Sequence, residues 1–102
     1  MEAPCGDGVD LAMECLATLS VEPTYLRLGD IAADLGLPAK RGQHHHGRTV
    51  GDLIGELRRR GFSIVTRYSR TVGTVAAIER TSWAAARVAA ANYWACVHGE
   101  DR

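Results

Sequence analysis

Cysteine is scarce in this chain: Cys5, Cys15 and Cys96 form an odd, widely spaced set with no C-x-x-C pair. That excludes a disulfide framework of the kind that holds small secreted domains together, and it predicts reduced thiols in a cytoplasmic protein. No uninterrupted apolar run approaches the length of a membrane span. The opening residues, with Glu2 and Pro4, lack the basic-then-apolar pattern of a secretory leader. There is no P-loop, no Ser-His-Asp or Cys-His arrangement, and no carboxylate pair at an acid/base spacing. The sequence therefore reads as a non-enzyme with no cofactor, no membrane partner and no evident small-molecule ligand. Its 102 residues suffice for one domain with one core.

Net charge is also missing, since twelve basic and twelve acidic residues cancel. They are nevertheless sorted along the chain. Residues 1–39 hold seven carboxylates against Arg27 alone, a net of −6. Residues 40–70 hold eight basic groups against Asp52 and Glu56, a net of +6. A basic block of this kind is the footprint of a polyanion-binding face, although most charge runs are only solvated surface.

Residues 1–8, with Pro4, Gly6 and Gly8, read as a flexible leader, and Asp7 is suited to cap the helix that follows. Val9, Ala12, Met13, Leu16 and Leu19 then recur at helical spacing, with Asp10 and Glu14 opposite. Glu22-Pro23 breaks that helix. Residues 25–28 suggest a minimal strand, and 29–35 a short second helix closed by Gly36. Residues 39–47 form a polar loop. Thr49 and Asp52 have the spacing of a capping box, and Val50, Leu53, Ile54 and Leu57 draw an apolar stripe along a third helix. Gly61 is the expected stop, with Phe62 as its hydrophobic contact. Alternation from Phe62 to Tyr68, a turn at 69–71 and a return over 72–78 predict a β-hairpin with a basic tip. Thr81 or Ser82 caps a last, alanine-rich helix that runs to about His98. The fold class is mainly α with a small β-hairpin.

Two segments resemble the winged helix-turn-helix of bacterial and phage regulators of the biotin-repressor type. Residues 28–37 (LGDIAADLGL) are similar to the first helix and turn, and residues 48–62 (RTVGDLIGELRRRGF) to the recognition helix and its exit into the wing. The resemblance covers about residues 9–79, with residues 80–102 as a C-terminal helix beyond it. In place of a turn of three or four residues, it has about ten, from Pro38 to Gly47.

What the resemblance implies is sequence-specific binding of double-stranded DNA by a small transcriptional regulator, a repressor of phage or mobile-element type. Exposed residues of the third helix would meet base edges in the major groove. These are Arg48, Thr49, Gly51, Asp52, Gly55, Glu56 and Arg59, with Arg48 the candidate for a bidentate guanine contact. Gly51 and Gly55 leave a flat surface for close approach, or are simply tolerated. Lys40, Arg41, Arg67 and Arg70 are candidate phosphate contacts. His44, His45 and His46 suit phosphate or base contact or solvent. Three consecutive loop histidines do not converge on a tetrahedral metal, so no metal is expected. The alternative is a winged-helix protein-interaction module that does not bind DNA, kept open by Asp52, Glu56, the long turn and the near-zero net charge.

The last helix carries a tryptophan stripe (Trp83, Ala90, Trp94, Val97) and an alanine stripe (Ala84, Val88, Ala91, Ala95). A three-helix core with a hairpin can cover only one. A homodimer through Trp83, Val88, Ala91, Trp94 and Ala95 is therefore expected. The competing arrangement folds the helix over helix one within the monomer.

Overall fold

The computed structural model describes residues 9–37 and 49–99. Among them are four helices and a three-stranded antiparallel sheet, in the order α1 (Leu11–Leu19), β1 (Leu26–Arg27), α2 (Leu28–Leu35), α3 (Val50–Arg59), β2 (Ile64–Ser69), β3 (Gly73–Ile78) and α4 (Arg80–His98). The leader, Asp7, Cys5 and the loop histidines lie outside the described residues.

The α1 helix begins later than its apolar spacing predicts. Asp10 is its N-cap, accepting a hydrogen bond from the Ala12 amide at 3.2 Å, so Val9 precedes the helix and is exposed. Ala12, Cys15, Leu16 and Leu19 form the buried face at i, i+3, i+4 and i+7. Burial pushes the Cys15 thiol up to about 12, which keeps it neutral and inert. Cys96 is disulfide-bonded, so the expectation of reduced thiols throughout does not hold for it.

Helices α2 and α3 end in the same way, for the same chemical reason. Gly36 (φ +73°) and Gly61 (φ +106°) take backbone conformations that a β-carbon disfavours. Each lets the next residue's amide reach back into the helix: Leu37 to the Ala32 carbonyl at 2.8 Å, Phe62 to the Leu57 carbonyl at 3.0 Å. At the start of α3 the capping box is complete. The Thr49 hydroxyl accepts from the Asp52 amide at 3.2 Å, and the Asp52 carboxylate accepts from the Thr49 amide at 3.0 Å.

The sheet order is β1-β3-β2, with β1 joining the hairpin through Leu26 opposite Ala76 and Arg27 opposite Val75. The hairpin turn is 70–72, one residue later than expected, and Val72 belongs to it. The shift follows from Ser69, whose hydroxyl accepts from the Thr71 amide at 3.1 Å, and from Gly73 at φ +82°.

The last helix also departs from expectation at its start. Glu79 is the N-cap, without a side-chain hydrogen bond, and neither Thr81 nor Ser82 caps it. The Ser82 hydroxyl accepts instead from the Ser63 amide at 3.0 Å, fastening α4 to the strand entry. Ala86 and Ala90 are its buried residues and lie in the common core with α1, α2, α3 and the sheet. Trp83 packs partly against that core, so the covered face is centred on the alanines and not on a tryptophan stripe. No helix among the described residues is long and apolar enough to cross a membrane.

Candidate nucleic-acid interface

Arg58, in the last turn of α3, fastens the hairpin to that helix. Arg58 donates from Nε and Nη2 to the Ile64 carbonyl at 3.0 and 2.6 Å, and Nη2 lies 3.5 Å from the Thr66 hydroxyl. β2 is an edge strand, and this guanidinium occupies the first carbonyl of its open edge. The hairpin is thereby set against the last turn of α3.

The three consecutive arginines have separate duties. Arg58 serves the strand. Arg60 binds Asp10 at 3.0 Å and also Glu56, and the Asp10 hydrogen bond raises its pKa further. Arg59 pairs with no carboxylate among the described residues and lies back over Gly55, its Nη1 3.8 Å from where a β-carbon would stand. Arg60 thus joins the acidic first third of the chain to the basic middle third.

Asp52 and Glu56, the two acids of the exposed side of α3, are both engaged. Asp52 is consumed as the capping-box carboxylate, and Glu56 is held by Arg60. The Thr49 hydroxyl is committed to the same cap, so a contact from it to a base edge would compete with helix initiation. Gly51 is exposed and Gly55 half-buried, leaving bare backbone over one turn of α3.

On the hairpin, strand alternation separates two residues that sequence reasoning grouped. Arg67 projects from the opposite side of β2 to Thr66 and Tyr68. Its guanidinium lies over the Tyr25 ring, 5.3 Å from the centroid, a cation–π contact across the outer face of the sheet. Arg70 sits in the exposed turn with no ion pair among the described residues. Tyr68, on the same side of β2 as Ile64, is 75 % exposed. It pairs with Thr74 near the hairpin tip, beyond the reach of the core that buries Ile64. The signal for it was its distance from Ile64 along the strand. Lys40, Arg41, His44, His45, His46 and Arg48 lie outside the described residues.

A second polar cluster lies away from this face. The Glu14 carboxylate accepts from the Tyr93 hydroxyl at 2.7 Å and meets His98 Nε2 at 2.6 Å, and the Asp10 amide donates to the Tyr93 oxygen at 3.0 Å. Burial and the bond to Glu14 push the Tyr93 phenol up to about 12. These contacts lay the C-terminal half of α4 on α1.

The glycines of α3 permit a direct test. Among the described residues, a β-carbon at Gly51 would meet only the Thr49 hydroxyl at 3.6 Å, and one at Gly55 only the Arg59 tip at 3.8 Å. Both are ordinary contacts. Alanine at each site should therefore stabilise the helix, by about 0.5–1 kcal/mol per site. If the bare backbone serves close approach, the same double variant loses affinity for duplex DNA while its melting temperature rises. A stability gain with unaltered affinity would assign the glycines no role in binding.

No known protein family, no curated protein and no solved structure matches this chain.

Proposed function

We propose that the chain binds duplex DNA through the face that α3 and the β2–β3 hairpin share, as a small winged helix-turn-helix regulator. The observation that carries this reading is the disposal of negative charge on that face. Asp52 is a helix cap and Glu56 is bound by Arg60, while Arg59 and Arg70 are left without carboxylate partners among the described residues. The element order α1-β1-α2-α3-β2-β3 and the sheet order β1-β3-β2 support it, because a hairpin beside the third helix is what the winged-helix resemblance implies. Bare backbone at Gly51 and Gly55 gives a duplex room to approach. Arg48, one residue before the Thr49 cap, is the residue for base readout, and Lys40, Arg41 and Arg70 are the phosphate contacts. Arg67, stacked on Tyr25, ranks behind them.

Fluorescence anisotropy with arbitrary duplex DNA over a salt series tests this. Neutralising several phosphates releases counterions, so log K should fall linearly with log salt, by about 0.9 per phosphate contacted. Absence of binding at low salt, or a flat salt dependence, would remove DNA as the ligand of this face and favour a protein partner.

A further inference from the structure

α4 has two apolar faces, and the core of the chain uses one. Ala86 and Ala90 are buried toward α1, with Tyr93 and Val97 half-buried on the same side. On the opposite side Ala84, Val88, Ala91 and Ala95 are exposed, Val88 by 60 %. Their spacing of four, three and four residues is that of a two-helix seam. Beside the seam runs a groove of about 730 Å³ between α4 and the α1–β1 connection, walled by Val21, Ala91 and Trp94. Three charged side chains line it: Glu22, Asp34 and Arg87. Among the described residues none of the three has an ion-pair partner, and Arg87 lies over Trp83 at 5.8 Å from the ring centroid.

We propose that this groove and the adjoining face of α4 bind a second copy of the chain, with the two α4 helices antiparallel and crossing between Ala89 and Ala90. Residues equidistant from that point then face each other. Val88 meets the partner's Ala91, large against small, and Ala84 meets the partner's Ala95, small against small, which lets the backbones approach. The contact is isologous, so each such pair occurs twice.

Charge decides the orientation. A two-fold axis across antiparallel helices keeps the same flank of both on one side. At about 1.5 Å of rise per residue, the partner's Arg87 falls within one turn of Trp94, over the groove where Glu22 and Asp34 stand unpaired. A parallel pair would turn that flank toward the partner's Ala85 and Asn92, leaving all three charges without partners. The antiparallel copy is therefore the complementary occupant. This inference does not rest on DNA binding, because it concerns a different face and is tested without DNA.

Sedimentation of the full chain at tens of micromolar tests it. Native protein should sediment as a dimer. Val88→Glu and Ala91→Lys should each weaken self-association at least about tenfold, while the double variant, whose new charges face each other only in the antiparallel register, should recover to within about threefold of native. Both sites are exposed, so far-ultraviolet circular dichroism should be unchanged in all three variants. A monomeric mass for the native chain, or a double variant as weak as the single ones, would overturn the proposal.

Discussion

Leu57→Ala should be the most damaging single truncation in α3. Leu57 is 0 % exposed and closes the apolar stripe of that helix. Its carbonyl also receives the Phe62 amide that ends the helix. Removing its side chain loses the transfer free energy of the buried carbons and leaves a cavity that a close-packed core refills only in part, for a loss of about 2–5 kcal/mol. In a domain of this size that corresponds to a fall in melting temperature of roughly 10–25 °C. Val9→Ala, at a site 61 % exposed, is the control, with an expected change within about 0.5 kcal/mol. Thermal denaturation of both variants checks the expectation. A Leu57→Ala loss no larger than the Val9→Ala loss would mean that α3 does not pack on α1 and the sheet as described.

The second large effect concerns binding. Arg59→Glu with Arg70→Glu reverses two described cations of the α3–hairpin face that hold neither a carboxylate, a strand carbonyl nor an aromatic ring among the described residues, and sets like charge toward phosphate. Affinity for duplex DNA should fall about 10–100-fold at low salt, and the salt dependence should flatten as contacts are lost. Arg58→Glu would be a poor choice for this test. It would strip the Ile64 carbonyl of its donors and loosen the hairpin, so lost binding and lost structure would be confounded. Arg59 and Arg70 have no such duty, and the double variant should melt close to the native protein. Undiminished affinity in it would remove this face as the DNA-binding surface.

Local chemistry made much of the fold legible from sequence alone. The capping box of Thr49 and Asp52, the stripe from Val50 to Leu57, and the glycine stops at Gly36 and Gly61 are each settled within one or two turns of backbone. Such signals need no knowledge of what lies across the core. The start of α1 is not legible locally, because Asp7 and Asp10 are chemically equal as caps and the structure uses Asp10. The start of α4 is not legible locally either, because the Ser82 hydroxyl takes the Ser63 amide, nineteen residues earlier, in place of a cap.

What only the tertiary structure decided is the assignment of charges. Arg58, Arg59 and Arg60 are identical in sequence and adjacent, yet one holds a strand edge, one lies over Gly55 with no carboxylate partner among the described residues, and one binds Asp10 fifty residues away. Arg67 and Arg70 look equivalent until strand alternation sends the first to Tyr25. A charged side chain takes whichever partner the packing of distant elements brings within hydrogen-bond reach, and that distance is a property of the assembled core. The sequence by itself therefore determined where helices begin to form, where they stop and that the middle of the chain is basic. Which of those cations remain available to a partner was decided by the packing of α1, α3 and the sheet.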